Sequence, residues 1–368
     1  MKTKDYFYIF TRTTIFVVLI LIFSSCQKEK SLYHIPETKT NNNSNINLSK
    51  IKNVSTQDSI VSNGETIYLG NKVFMKGFSD ILLVFDKKII FGLSQNYATI
   101  FKIDTSDKDY LLNGQIRDAE FYENCIYLLD SNSDIIVYNL KNGDVDKITI
   151  NKKIYNTVNF RTAINITVMD ENRILLTNVI VPRDNNLTSD KVLLGIIIDL
   201  EGKLIKTVSV KGTDTDLESW NLVGDRIFAK RFNNLVLFSF WLSRKTFLYN
   251  IYDDSYTLMN LKVDKSWKDP EVKGGIKKMG EGIYAEEIVH LPINLNGLQV
   301  SNNQIFQIMN RYNNPPLVIK YDKELNEIER REFNDIDFMS GDITKFYMLH
   351  IIHNRVILQS SNELFHYE

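Results

Sequence analysis

Apolar runs of a few residues, broken by polar turn clusters, recur along the chain from Thr66 onward, and no segment longer than about ten residues carries a helical apolar period. The clearest unit runs from Gln115 to Ile150. Within it, Ile126 to Leu129, Ile135 to Leu140 and Lys147 to Ile150 are rich in Val, Ile and Tyr, which pack well on a pleated surface. Asp130 to Asp134 and Lys141 to Asp144 separate them, and Asn142-Gly143 supplies the positive φ angles of a tight hairpin. The unit therefore reads as an antiparallel meander of about four strands.

The same grammar returns. A strand ending in a turn is found at Thr99 to Asp104, Ile135 to Leu140, Leu194 to Asp199, Phe247 to Ile251, Leu317 to Asp322 and Leu364 to Tyr367. Each copy follows a polar turn and an apolar strand, as in Asn124-Cys-Ile-Tyr-Leu, Asn172-Arg-Ile-Leu-Leu and Asn354-Arg-Val-Ile-Leu. About six copies spaced roughly 35 to 70 residues apart predict an all-β chain folded as a six-bladed β-propeller. Seven blades are the alternative, because Leu261 to Leu291 is long enough to hold extra strands. The last copy stops at Glu368 without an outer strand, while Ser59 to Tyr68 has strand residues and no blade. That N-terminal strand is expected to complete the last blade and close the ring.

The Asn-x-Ile-Tyr-x-x-Asp grammar over residues 60 to 368 resembles the six-bladed propellers of NHL or TolB type found in uncharacterised bacterial lipoproteins. The resemblance implies structure and no particular activity. A second resemblance lies at the N-terminus. Lys2, Lys4 and Arg12 precede the apolar run Ile15 to Phe23, which describes a secretory signal. That run is shorter than the ~20 residues a spanning helix needs. Phe23-Ser24-Ser25-Cys26 is similar to the lipobox of bacterial lipoproteins, with Phe in place of the usual Leu. The resemblance implies cleavage before Cys26 and lipidation of its sulfur, hence a membrane contact and a lipid-anchored place in the bacterial cell envelope. The outer membrane is the expected site, with the periplasmic and surface faces both open. Residues 1–25 then form the signal peptide. Residues 26–57, with Asn41-Asn42-Asn43-Ser44-Asn45, read as a flexible tether, and residues 58–368 as the propeller.

Composition narrows the function classes. Among 368 residues, 43% are hydrophobic and 24% charged, as in a globular protein. With 44 basic against 45 acidic residues there is no excess positive charge to displace counterions from phosphate, so no nucleic-acid partner is expected. The domain is read as a monomer. Cys125 alternates within an apolar strand and reads as a buried free thiol; Cys26 belongs to the export signal.

No Gly-rich phosphate cradle, zinc helix or nucleophile elbow occurs, so no catalytic residue, cofactor or metal ligand is assigned. Propellers bind at the channel mouth, where blade-connecting loops meet. The candidate ligand-binding residues are Trp267 in the long loop from Lys262 to Pro292, with Trp220, Trp241, Arg161, Arg311 and Tyr312 near predicted strand ends. Aromatic faces stack on sugars or peptide side chains, and Arg orients polar groups, although tryptophans also pack between blades. Glu286-Glu287 and the five histidines are read as structural or solvated. The chain is thus expected to bind a protein, peptide or glycan partner. The alternative is an enzyme of hydrolase or lactonase type with a metal at the channel mouth.

Overall fold

The computed structural model describes residues 46, 48–50, 52–62, 64–68, 74–78, 80–86, 89–104, 116–151, 153–154, 158, 160, 162–177, 179–180, 191–214, 225–232, 234–240, 245–260, 276–280, 283–286, 295–301, 304–310, 314–334, 348–352, 355–360 and 363–368.

In chain order, β1 (Asn53–Gln57) is followed by a hairpin of β2 (Ser59–Ser62) and β3 (Glu65–Tyr68). Blade 1 is β4 (Phe74–Phe78), β5 (Ile81–Asp86), β6 (Ile89–Leu93) and β7 (Thr99–Asp104). Blade 2 is β8 (Ile116–Tyr122), β9 (Cys125–Asp130), β10 (Ile135–Asn139) and β11 (Val145–Ile148). In blade 3, β12 (Asn165–Asp170) and β13 (Arg173–Thr177) precede the short β14 (Val179–Ile180); β15 (Lys191–Ile198) and β16 (Leu204–Lys211) complete the blade. Blade 4 is β17 (Asp225–Phe232), β18 (Leu235–Phe240), β19 (Lys245–Asn250) and β20 (Tyr256–Asn260), with β14 added beside β17. A separate hairpin follows, β21 (Ile276–Gly280) with β22 (Ile283–Glu286). Blade 5 is β23 (Leu295–Ser301), β24 (Gln304–Asn310), β25 (Leu317–Tyr321) and β26 (Glu327–Glu332). Blade 6 is β27 (Met348–Ile352), β28 (Arg355–Gln359) and β29 (Leu364–Tyr367), completed by β1.

The first strands β4, β8, β12, β17, β23 and β27 neighbour one another in a closed ring, so the molecule is a six-bladed β-propeller. The stretch that left room for a seventh blade holds the hairpin β21–β22. Ring closure follows the expected logic with a different strand. Asn53 pairs with Tyr367 and Gln57 with Leu364, so β1 is the outer strand of the last blade. Ser59 to Tyr68 folds on itself instead, because Asn63-Gly64 favours a two-residue turn and Gly64 has φ +82°. Packing begins still earlier, inside the segment read as a tether. Ile46 and Leu48 are buried against Phe306, Phe333, Leu358 and Tyr367. Lys320 Nζ donates to Ile46 O (2.8 Å), and Arg331 donates to Leu48 O (3.1 Å).

The core is six apolar layers, each filling the wedge between two adjacent blades. Val208, Phe238 and Phe247 fill the layer between blades 3 and 4, and Leu83, Phe101 and Leu128 the one between blades 1 and 2. The hairpin β2–β3 supplies Ile60 and Ile67 to the layer between blades 6 and 1.

The recurring turn after the third strand has one physical design in four blades. Asn139, Asp199, Asn250 and Asp322 each accept a backbone N–H two residues on through the side-chain oxygen. A left-handed residue follows in each turn: Gly143, Gly202, Asp254 and Leu325. The β10–β11 turn is therefore a wider loop than the tight hairpin expected, with Gly143 alone in positive φ. Leu325 tolerates that conformation while buried beside Tyr321. The sequence copy at Thr99 differs from the others. It is the fourth strand of blade 1, whereas the other five copies are third strands, because Asp80-Ile81 opens the second strand there without the usual Asn.

Candidate functional site

Trp220, Trp241, Trp267, Arg161, Arg311 and Tyr312 lie outside the described residues, as does Cys26. Phe240 ends the second strand of blade 4, Asn310 ends that of blade 5, and Asn165 opens the first strand of blade 3. In an antiparallel meander these strand ends share one end of the ring.

The described residues instead reveal a polar belt around the inner strands. Lys76 on β4 donates to Asp118 Oδ1 on β8 at 2.6 Å and also to Ala119 O. The second carboxylate oxygen of Asp118 accepts from Asn165 Nδ2 and, at 2.9 Å, from Ile166 N, both on β12. Asn165 Oδ1 then accepts Ala229 N on β17 at 2.8 Å, and Thr167 Oγ1 donates to Ala229 O at 2.9 Å. On the other side of β4, Gln299 Nε2 on β23 donates to Gly77 O at 3.0 Å, and Gly77 N donates to His350 Nδ1 on β27 at 3.3 Å. All six inner strands are joined by this run of bonds. Lys76, Asp118 and Asn165 are 8%, 7% and 3% exposed, so water competes little for them.

Two further charges complete the belt. Glu120 Oε2 lies 3.8 Å from Lys76 Nζ with its side chain 18% exposed, and Lys230 on β17 is near enough for its charge to feel the Lys76 ammonium. Burial opposes charge on Lys76, but Asp118 and Glu120 outweigh it and hold the ammonium above its usual range. Burial, then the neighbouring Lys76 charge, pushes Lys230 down to about 8. Burial raises Glu120. The four groups sum to zero formal charge, and both oxygens of the Asp118 carboxylate accept from protein donors. The belt is a fastening between blades. Among the described residues no three His, Cys, Asp or Glu side chains stand together as metal ligands. Cys125 is half-buried, not fully buried as expected, because β9 opens at the blade end; burial and then Glu123 raise its thiol.

The belt was missed in the sequence because its members are single polar residues on first strands. A lone Lys76 inside Phe74-Met-Lys-Gly-Phe78 is the signal that was available.

A second feature lies on the rim, where blade 6 meets blade 1. Gln57, Asp58, Ser59, Val61, Asn96, Tyr97 and Glu363 line a groove of about 690 Å³. Ser62 Oγ donates to Tyr97 O at 2.6 Å, pinning the hairpin to the β6–β7 turn. Tyr97 is fixed in turn, with its hydroxyl 2.8 Å from His366 Nδ1. Strand alternation sends Ile60, Ser62 and Ile67 inward and leaves Val61 64% and Tyr68 73% exposed. Around the two-residue turn, Ser62/Glu65 and Ile60/Ile67 are the hydrogen-bonded pairs. The N–H and C=O groups of Ser59 and Val61 therefore point away from β3, and among the described residues no strand pairs with that edge of β2.

No protein-family profile matches the sequence, and no curated protein matches it. Among solved structures, the chain is similar to BamB from Moraxella catarrhalis at 10% identity and a TM-score of 0.43, over 86% of this chain and 99% of that one. It is also similar to a protein of unknown function from Bacteroides caccae (12%, TM-score 0.42, 74% and 86% covered). A third is BBS1N, solved in complex with ARL6DN (12%, TM-score 0.37, 78% and 74% covered).

Proposed function

We propose that the chain is a cell-envelope lipoprotein, anchored through lipid on Cys26, whose propeller holds a protein or peptide partner at its rim. The rim groove carries the reading: it combines the open edge of β2 with the exposed Val61, on a hairpin that is pinned to the ring and that also exposes Tyr68 on β3. Contiguous exposed apolar surface beside open backbone groups is what a partner protein covers. The lipobox-like Phe23-Ser24-Ser25-Cys26 supports the anchor. The belt supports a binding role over a catalytic one, since both oxygens of Asp118 already accept from the protein's own donors, Lys76 Nζ on one and Asn165 Nδ2 with Ile166 N on the other.

Two measurements test this. Cells expressing the full chain are fed a labelled fatty acid; label enters the protein and is lost in Cys26→Ser. Persistence of residues 1–25 on the mature chain, or no label at all, defeats the anchor. For the partner, a photo-crosslinking amino acid replaces Tyr68, with Asp146 on the outer strand of blade 2 as control. A discrete crosslinked protein at Tyr68 and none at Asp146 is expected. Equal crosslinking at both, or none at either, defeats the rim reading.

A further inference from the structure

We infer that the rim groove takes an extended basic segment of its partner as an added strand on the open edge of β2. This rests on the rim being the partner-binding surface and specifies how binding occurs. Ser59 and Val61 both line the groove, and the backbone donors and acceptors of both point away from β3. An incoming strand can thus be held by main-chain hydrogen bonds regardless of its sequence. Four residues of β2 offer an edge of about 13 Å at the usual rise per residue. Selectivity comes from the walls. Asp58 and Glu363 bring two carboxylates, and the described lining residues include no Lys or Arg. Side chains of an extended segment alternate in direction, so one row can meet Val61 while the other carries Lys or Arg to the carboxylates. The edge is held ready by the Ser62–Tyr97 bond and by the burial of Ile60 and Ile67, so little ordering is left for binding to supply.

Three synthetic decapeptides test this against the full-length protein in detergent micelles: alternating Lys and Val, alternating Glu and Val, and the Lys–Val peptide N-methylated at every second amide. The Lys–Val peptide is expected to bind at least tenfold more tightly than either of the others. Val61→Pro removes a backbone donor that points away from β3, so the hairpin ladder survives. It is expected to weaken the Lys–Val peptide at least tenfold with no loss of melting temperature, and Asp58→Lys is expected to do likewise. Equal affinity for the N-methylated peptide, unchanged affinity in Val61→Pro or Asp58→Lys, or no binding of any peptide overturns the strand-addition inference. The Tyr68 crosslink separates the two levels. A crosslink that persists in Val61→Pro leaves the rim reading standing and removes strand addition, whereas loss of the Tyr68 crosslink from the otherwise unmutated chain removes both.

Discussion

Replacing Asp118 with Ala is the sharpest test of how the ring is held together. The carboxylate satisfies three buried donors at once, Lys76 Nζ, Asn165 Nδ2 and Ile166 N, across three inner strands. Without it, the Lys76 ammonium is left in a buried site with Glu120 3.8 Å away as its nearest carboxylate. Breaking a buried ion pair from one side costs about 3–5 kcal/mol, because the remaining charge is uncompensated. At roughly 2 °C per kcal/mol for a domain of this size, the melting temperature should fall by about 6–10 °C. Removing both charges is different: Lys76→Met with Asp118→Leu leaves no stranded ammonium and should recover that part of the loss, while Asn165 Nδ2 and Ile166 N remain without their acceptor. Thermal and urea denaturation of the single and double variants, followed by tryptophan fluorescence, read out both effects. An Asp118→Ala protein that melts within 2 °C of the wild type, or a double variant no better than the single, would refute the belt as a fastening.

Two further outcomes follow from the same packing. His350 Nδ1 accepts Gly77 N–H, and Nε2 lies 2.8 Å from Gln359 Oε1; burial holds the ring neutral down to about 4 from a usual 6.5. Since the unfolded chain takes up its proton first, this stability is intact above pH 6.5 and is lost as pH falls toward 4, up to about 3 kcal/mol; urea midpoints in His350→Gln should fall less steeply over that window. Leu48→Ala should cost about 2–5 kcal/mol, because Leu48 is fully buried against blades 5 and 6, and an unchanged midpoint would show that the segment before β1 is not docked.

Much of this architecture was legible because a propeller repeats its chemistry. The Asn or Asp at the end of the third strand in four blades marks a turn that needs a side-chain acceptor, so the residue type recurs where the backbone recurs. Phase was harder to read than number. Blade 1 lacks the Asn before its second strand, so the repeat slipped there by one strand. The closing strand is hard to see in the sequence because Asn53 to Gln57 (Asn-Val-Ser-Thr-Gln) is mostly polar. An outer strand packs on one side only, and its partner β29, at the far end of the chain, is invisible to local pattern. The site was least legible. Aromatic residues in loops stand out in the sequence, whereas the belt is built from isolated polar residues that acquire meaning once six strands converge. The rim groove depends on which way Ser59 and Val61 turn their backbone, and that is set by register alone.

The closure of the ring by β1 also imposes an order in time. Its partner β29 lies across nearly the whole domain, and Lys52 and Glu368 exchange both backbone bonds, N to O at 2.8 and 3.1 Å. A chain emerging from a ribosome or a translocation pore makes β1 early and has no edge to pair it with until the sixth blade is complete. Through that interval Ile46 and Leu48, and the faces of blades 1 and 5 that blade 6 will cover, stay open to water. Such a chain is at its most aggregation-prone just before it finishes. Its folding should therefore depend on a holding chaperone for far longer than the folding of any single blade would require.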